Sequence, residues 1–302
     1  MNNERGFALI LTLLITALLV ALTAEFVDEV FVDSSARQNF VDGQQASLLA
    51  ASGIDGAIKL LQMGVVSQAY TAQADLDRLN KLLNVEDEKG TIQVTIEDES
   101  GKLNVNAAWG DNGAAIPPYS DFVRRLFKNM GISLDLLDTL ADWRDIDDTP
   151  HPAGAETPFY KTLKPPYAAK NGKLATFEEL RLVKGFDGAT VERLRPLVTV
   201  YDDCSQININ TAPKEIIAAL ADNMTDIADK VVDYRKTTPF KLVSDLGNVP
   251  GMRAEVVQGL TGYVSVAGTA FRIHSTAQVN ETTRIVEAVV NSGGTILYWR
   301  EY

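Results

Sequence analysis

The longest apolar segment of this 302-residue chain lies at its N-terminus. After Phe7 the first charged residue is Glu25, and neither proline nor glycine occurs between Phe7 and Gly43. An apolar run of this length can cross a bilayer, at the lower end of the usual span of about 17–25 residues. Because helix breakers are missing, the pattern predicts one helix that spans a membrane over 7–24 and continues to residue 62.

Beyond the membrane segment, small and apolar residues recur at steps of three and four, which places them on one face of the continuing helix. The residues of this stripe are Val32, Ala36, Phe40, Gly43, Ser47, Ala50, Ile54, Ile58 and Leu61. The stripe fits an ordinary anchored protein with an amphipathic helix, and it equally fits a helix that packs with helices of other chains.

Two regions of alternating polarity flank a long block of helical patterns. Residues 91–99 alternate with period two, as a half-buried strand does. Ser100 and Gly101 predict a turn and 102–106 alternate again, so we expect a hairpin with Asp98 and Glu99 on its exposed face. Further strand patterns end the chain, at 263–267, 271–279 and 282–291.

This order of elements predicts an α+β fold, in which a long N-terminal helix packs on an antiparallel sheet interrupted by a large helical insertion.

The composition argues against several classes of function. A formal net charge of -12 disfavours nucleic-acid partners. The single cysteine, Cys204, and two histidines exclude a disulfide framework and a Cys- or His-rich zinc site. With no phosphate-binding glycine loop, GxSxG or HExxH motif, we expect no enzyme.

The densest group of carboxylates lies between residues 135 and 160, where one arginine and no lysine accompany it. Its members are Asp135, Asp138, Asp142, Asp145, Asp147, Asp148 and Glu156. Calcium takes 6–8 oxygen ligands, and a run that leaves a helix for a Pro/Gly loop can supply them. Pro150 stands where an EF-hand loop starting at Asp145 requires glycine, so an EF-hand is excluded. A calcium site and a solvated acidic loop both remain open.

The N-terminus, MNNERG followed by Phe7, resembles the leader of type IV pilins and pseudopilins. The resemblance implies cleavage by a prepilin peptidase between Gly6 and Phe7 and methylation of the new N-terminus. In most of that superfamily the fifth mature residue is a glutamate that pairs with a neighbouring subunit, since a charge in lipid needs a partner. Leu11 occupies this position, which implies a subunit that does not dock beneath another.

Several motifs in the remainder resemble the minor pseudopilin K family of type II secretion systems. They are QQA at 44–46, DESGKLNVN at 98–106, DWRDID at 142–147, GAE at 154–156, ELR at 179–181 and ININTAP at 207–213. The resemblance implies a pilin-like fold with an inserted helical domain of the SAM or helix-hairpin-helix type. It also implies calcium bound by carboxylates of the acidic cluster, namely Asp142, Asp145, Asp147, Asp148 and Glu156.

A member of this family is expected to be a single-pass inner-membrane protein with its globular part in the periplasm. Its long helix would pack with other minor pseudopilins in a tip complex that initiates pseudopilus assembly. The expected segments are a leader (1–6), the long helix (7–62), a first part of the pilin-like domain (63–106), an inserted helical domain (107–200), a second helical segment (201–262) and the C-terminal strands (263–302).

An alternative is a membrane-anchored DNA-binding protein, because 207–260 also resemble the helix-hairpin-helix domains of competence proteins. Those hairpins bind phosphate through backbone N–H groups of a glycine turn with nearby basic residues. The first hairpin turn here, 221–225, has no glycine and contains Asp222, and a third hairpin-like segment has Asp187 in its turn. We therefore interpret these hairpins as packing units and expect no nucleic-acid partner.

Overall fold

The computed structural model describes residues 3–64, 69–87 and 90–302, so Met1 and Asn2 of the expected leader lie outside the described residues. Helix α1 (Asn3–Gln62) is continuous, as the sequence predicts. From Phe7 it is long and apolar enough to cross a membrane, with a mean hydropathy of 2.6 in its most apolar stretch. No residue of that stretch is buried against another described part of the chain.

The remaining elements alternate between short helices and strands. The strands are β1 (Val85–Asp87), β2 (Gly90–Asp98), β3 (Leu103–Asn104), β4 (Val198–Thr199), β5 (Ile207–Asn208), β6 (Val264–Ser265), β7 (Ala270–Val279), β8 (Thr282–Asn291) and β9 (Ile296–Glu301). The helices after α1 are α2 (Gln73–Leu82), α3 (Tyr119–Met130), α4 (Asp135–Arg144), α5 (Thr157–Tyr160), α6 (Gly188–Leu194), α7 (Lys214–Ala219), α8 (Thr225–Thr237) and α9 (Ala254–Leu260). Short 3₁₀ turns occupy Glu99–Gly101, Val105–Ala107, Phe177–Leu182 and Val243–Asn248.

The last turns of α1 pack on an antiparallel sheet of five strands in the order β1-β2-β7-β8-β9. Their shared core is apolar and includes Ala50, Ile54 and Ala57 from the helix. Gly53 is the point of closest approach, since a Cβ there would lie 2.9 Å from Cγ2 of Val94 and would overlap Oγ of Ser275. The predicted antiparallel sheet on a long helix is therefore confirmed.

The prediction of a hairpin after β2 is wrong. The chain turns through Glu99–Gly101, and β3 then pairs in parallel with the distant strand β4. Asp98 and Glu99, expected on an exposed face, are buried. The alternation of 102–106 therefore comes from a strand within the helical insertion, where apolar and asparagine side chains are both buried.

The helical insertion consists of two copies of one structural unit, the first module (103–200) and the second module (207–266). Each begins with a short strand that pairs in parallel with a strand at its own end, β3 with β4 and β5 with β6. One continuous apolar core fills both modules, separate from the core between α1 and the sheet. The modules therefore form one helical body attached to the sheet.

A buried asparagine closes each module in the same way. Asn106 donates to the carbonyl of Leu174 at 2.8 Å and accepts from its N–H at 3.0 Å. Asn210 donates to the carbonyl of Phe240 at 2.8 Å and accepts from its N–H at 2.9 Å. The modules differ in length between these partners, which are 68 positions apart in the first and 30 in the second. The extra length contains the acidic cluster.

The junction between the sheet and the modules is a buried polar network around Asp98. Its carboxylate accepts hydrogen bonds from the backbone N–H of Ser100 at 2.9 Å, from Nδ2 of Asn208 at 2.6 Å and from Oγ1 of Thr211 at 2.7 Å. Asn208 also donates to the carbonyl of Thr71 at 3.1 Å. Burial raises the pKa of Asp98 although these donors lower it. One side chain therefore joins the end of β2 to the second module.

Glu99, the next residue, forms a buried ion-pair network. Lys102 Nζ lies 2.8 Å from the Glu99 carboxylate, and Arg272 Nε and Nη2 each lie 2.9 Å from it. Burial alone would raise the pKa of Glu99, but Lys102 and Arg272 lower it to about 2. Arg272 also pairs with Glu287 on β8, so this network connects the turn after β2 to two strands of the sheet.

Both modules lie at the end of the sheet farthest from the apolar stretch of α1. Gly43 approaches Thr282 at the start of β8, whereas Gln62 donates to the carbonyl of Gly293 just after β8 ends. The chain leaves the sheet for the modules at Asp98 and returns at Ala270, and both residues pair at that second end.

Replacing Gly53 by alanine is expected to destabilise the protein by about 1–3 kcal/mol, because the new methyl group overpacks the interface between helix and sheet. Thermal unfolding of the full chain in detergent, followed by circular dichroism, measures this. The matched control is Gly56→Ala on the same helix, where a Cβ meets nothing within 4 Å. That variant should be neutral or gain up to about 1 kcal/mol. Equal effects of both substitutions would contradict the close approach at Gly53.

The lowered pKa of Glu99 predicts acid sensitivity. Its stabilising contribution, on the order of 3 kcal/mol, is fully present above pH 4.5 and is lost as the pH falls towards 2. Glu99→Gln should cost about 3–5 kcal/mol at neutral pH, because Lys102 and Arg272 stay buried without their shared carboxylate. The exposed Glu97 provides the control, and Glu97→Gln should change stability by no more than about 0.5 kcal/mol. If acid unfolding of Glu99→Gln showed the same pH dependence as that of the wild type, the acid sensitivity could not come from Glu99.

Candidate metal centre

Three of the five expected metal ligands converge in the first module. Asp142 lies in the last turn of α4, Asp145 follows the helix directly, and Glu156 precedes α5. Asp142 and Asp145, together with His151, each offer a ligand atom within 4.8 Å of the others. The structure thus brings together the start and the end of the acidic loop, which the sequence alone could not establish.

These carboxylates are buried without sufficient partners. Glu156 is 3% exposed, and neither of its oxygens has a hydrogen-bond partner. Asp145 is 1% exposed, and its Oδ1 likewise has no partner. A buried carboxylate without hydrogen bonds or a counter-charge is strongly destabilising. The three unpaired oxygens are therefore the direct sign that this site is suited to a cation.

The protonation behaviour of the cluster agrees with its geometry. Burial, reinforced by Asp142, Asp145 and other nearby carboxylates, raises the pKa of Glu156 to about 7. Burial together with Asp147 and Asp142 raises the pKa of Asp145 to about 6. Like charges held together in a low-dielectric site disfavour ionisation unless a positive charge compensates them.

Two glycines form the walls of the site. A Cβ on Gly154 would lie 2.9 Å from Oδ1 of Asp142 and would overlap its other oxygen. A Cβ on Gly113 would overlap the Asp145 carboxylate and lie 3.0 Å from Cε1 of His151. Gly113 also has a positive φ of 70°, which favours glycine. Any side chain at these positions would fill the space beside the carboxylates.

The loop that carries Glu156 is held in place from both sides. Lys184, in the hairpin turn before α6, donates to the carbonyls of Ala153 at 3.2 Å and Gly154 at 2.9 Å. Asp138 on α4 accepts from the N–H of Ala153 at 3.1 Å. The loop therefore links α4 to the C-terminal half of the first module.

The other two expected ligands have a different environment. Asp147 and Asp148 are exposed, and Asp147 accepts a hydrogen bond from the N–H of Thr149 at 2.8 Å. Both influence the pKa of Glu156, so they stand close to the buried group. They are available at the mouth of the site, whereas Asp142, Asp145 and Glu156 form its interior.

His151 and Gly113 were not among the residues expected at the site, yet both lie beside its carboxylates. The ring of His151 lies against Asp142, with Nδ1 2.5 Å from Oδ1, and Asp142 raises the pKa of the imidazole through this contact. Gly113 lies 22 residues before Asp135, the first residue of the acidic cluster, in a Gly/Asn-rich loop, and no local pattern relates the two. The sequence feature that could have indicated His151 is its position between Asp142 and Glu156, inside the acidic cluster.

The processing residues lie on a different part of the molecule. Gly6, Phe7 and Leu11 all belong to α1. Phe7 is 70% exposed and Leu11 is 46% exposed, so neither packs on the globular part.

The hairpin turns are arranged as packing elements. In the first module the side chain of Asp187 accepts from the N–H of Thr190 at 2.7 Å and caps α6. A carboxylate therefore occupies the helix N-terminus at which a DNA phosphate would bind. In the second module α9 carries Glu255 in its first turn.

Models of the protein family "type II secretion system (T2SS), protein K" match residues 101–203 and 207–267. These two ranges correspond to the two modules. The first of these ranges contains the entire acidic cluster.

Curated relatives and a solved structure agree with these matches. The type II secretion system protein K of Klebsiella pneumoniae is 32% identical over 73% of this chain and 70% of its own length. That of Pseudomonas aeruginosa is 28% identical over 97% of this chain and 90% of its own length. A chain of the GspK-GspI-GspJ complex from enterotoxigenic Escherichia coli has the same fold, with a TM-score of 0.71, 21% identity and coverage of 89% and 99%. By its modules and by this similarity, the chain belongs to the type II secretion system protein K family.

Proposed function

We propose that this chain is a structural subunit at the tip of a pseudopilus, without catalytic activity of its own. The observation that carries this proposal is the placement of the two modules. They lie beyond the end of the sheet opposite to the apolar stretch of α1, so a further subunit stacked at that end would meet a bulky helical body. A subunit with this shape fits the top of a filament.

The partners we propose are other minor pseudopilins, bound through α1. The proposal is supported by the solved structure with a similar fold, which is a complex of GspK with GspI and GspJ from a type II secretion system. Outside the membrane stretch, α1 exposes large apolar side chains that the globular part does not cover, including Phe31 at 71%, Phe40 at 69% and Leu48 at 69%. Burial of such side chains against partner helices is a favourable hydrophobic contribution.

The proposed location follows from the same helix. Residues 7–24 would cross the inner membrane and place the sheet and the modules in the periplasm. Cleavage between Gly6 and Phe7 by a prepilin peptidase, with methylation of Phe7, would make Leu11 the fifth residue. A leucine there creates no buried charge that requires a partner in the membrane.

We further propose that the candidate metal centre binds calcium. Asp142, Asp145 and Glu156 would supply buried oxygens, and Asp147 and Asp148 would contribute at the exposed mouth. A bound calcium ion would supply the positive charge that these carboxylates lack, and hard oxygen donors suit it. Through the contacts of Lys184 and Asp138 with the loop, an ordered site would stiffen the first module.

The competence-type DNA-binding alternative has little support. Membership of the protein K family favours the secretion role, and Asp187 and Glu255 place negative charge at the helix N-termini where phosphate would have to bind. Binding of the purified chain to duplex DNA at moderate salt would reverse this ranking.

Expression of the full chain together with a prepilin peptidase is expected to give a mature N-terminus at Phe7, and mass spectrometry of the intact protein measures it. Replacing Gly6 by valine should leave the leader attached, because the residue before the cleaved bond is no longer small. The control Ala8→Val changes the other side of the junction and should still be processed. A mature chain that starts near Glu25 would exclude the pseudopilin leader.

Calcium is expected to raise the thermal stability of the full chain in detergent, by about 2.7 kcal/mol when its concentration is a hundred times Kd. Glu156→Gln should lose most of this stabilisation. The same variant should be more stable than the wild type in chelator at pH 8, because it removes an uncompensated buried charge. Differential scanning calorimetry with and without calcium distinguishes these opposite effects.

The control for this experiment is Asp135→Asn, which removes the same charge from an exposed position at the start of α4.

Calcium affinity should also fall as the pH is lowered from 8 to 5, since Glu156 and Asp145 take up protons with pKa values of about 7 and 6. No response to calcium, or equal responses of Glu156→Gln and Asp135→Asn, would exclude a calcium site in this cluster.

A further inference from the structure

Within the described part of the chain, the hydrogen bonds to the Asp142 carboxylate come from His151. The backbone N–H of His151 lies 3.1 Å from Oδ1 and 3.2 Å from Oδ2 of Asp142, and the ring nitrogen Nδ1 lies 2.5 Å from Oδ1. The backbone and the side chain of one residue thus contact the same carboxylate. Asp142 itself is fully buried, whereas the His151 side chain is 37% exposed.

This arrangement limits the positions that Asp142 can take. On one side the carboxylate meets His151, and on another it meets the backbone of Gly154, where even a methyl group would overlap it. Asp145 lies close on a third side. Both Asp142 oxygens lie near the His151 N–H, and a ligand atom of Asp145 lies within 4.8 Å of Asp142, so the two carboxylates are close enough to share a cation.

From this geometry we infer that His151 is a positioning residue of the cation site. It donates hydrogen bonds to Asp142 and fixes this carboxylate so that its free lone pairs face Asp145 and Glu156. Hydrogen bonds to a ligating carboxylate from outside the coordination sphere commonly determine metal affinity. The inference rests on the proposed calcium site and adds a residue that donates to a ligand and does not itself bind the ion.

The chemistry of calcium supports this role over direct ligation. Calcium selects oxygen ligands, whereas an imidazole nitrogen suits zinc and other transition metals. The buried carboxylates already provide up to two oxygens each, and Nδ1 is engaged with Asp142. His151 therefore acts on the ion through Asp142.

Three substitutions separate the position of the donor from the bulk of the side chain. In His151→Asn the amide nitrogen is attached to Cγ, as Nδ1 is, so it can reach Asp142. In His151→Gln the amide lies one bond farther out, and in His151→Ala the donor is missing. Calcium binding to the full chain in detergent, measured by isothermal titration calorimetry, should weaken about 10- to 100-fold for the alanine and glutamine variants. The asparagine variant should bind calcium as the wild type does.

The same titrations with zinc and manganese test direct ligation. The inference is overturned if the alanine variant binds calcium with wild-type affinity, or if the asparagine and glutamine variants behave alike. It is also overturned if the wild type prefers zinc and loses this preference with alanine, since His151 would then be a ligand. A wild-type chain that binds no calcium refutes the calcium site together with this inference. Circular dichroism in chelator confirms that each variant is folded.

Discussion

The orientation of the two helical modules depends on one buried carboxylate, that of Asp98. The chain leaves the sheet at this residue, and the side chain reaches Asn208 and Thr211 at the start of the second module. Because a buried carboxylate is costly without donors, its hydrogen bonds leave few alternative arrangements of the junction. Glu99, Lys102 and Arg272 fix the adjacent turn, so the helical body is held rigidly on the pilin-like part.

Two of the buried carboxylates, those of Glu99 and Glu156, satisfy this requirement differently. Glu99 has two cationic partners inside the protein, which lower its pKa to about 2. The Glu156 carboxylate has no hydrogen-bond partner, and its pKa rises to about 7. The first is a structural ion pair that is complete in the chain itself. The second lacks a positive charge, and this difference is the physical reason why we propose the cation site in the first module and not at the junction.

The fold converts these local arrangements into a subunit of defined shape. The continuous helix α1 contains the apolar stretch in its first half, and its last turns pack on the sheet. Gly53 allows the helix and the sheet to approach closely. The duplicated modules then extend the molecule at the end farthest from the apolar stretch of α1, and they are joined by one continuous core. Rigidity at the junction and in the acidic loop would suit the tip position that we propose.

The sequence by itself determined the long helix, the antiparallel sheet, the helical insertion and the acidic cluster, because polarity patterns and breakers act over a few residues. Tertiary structure alone decided that Asp98 and Glu99 are buried, that β3 pairs with a strand almost a hundred residues away, and that His151 and Gly113 join the cluster. The similar segments LNVNA and ININTA begin the two modules, but their common role is visible only from the partners of Asn106 and Asn210, which lie 68 and 30 positions away. Long-range hydrogen bonds and burial leave no local periodicity, and for this reason only the folded chain shows them.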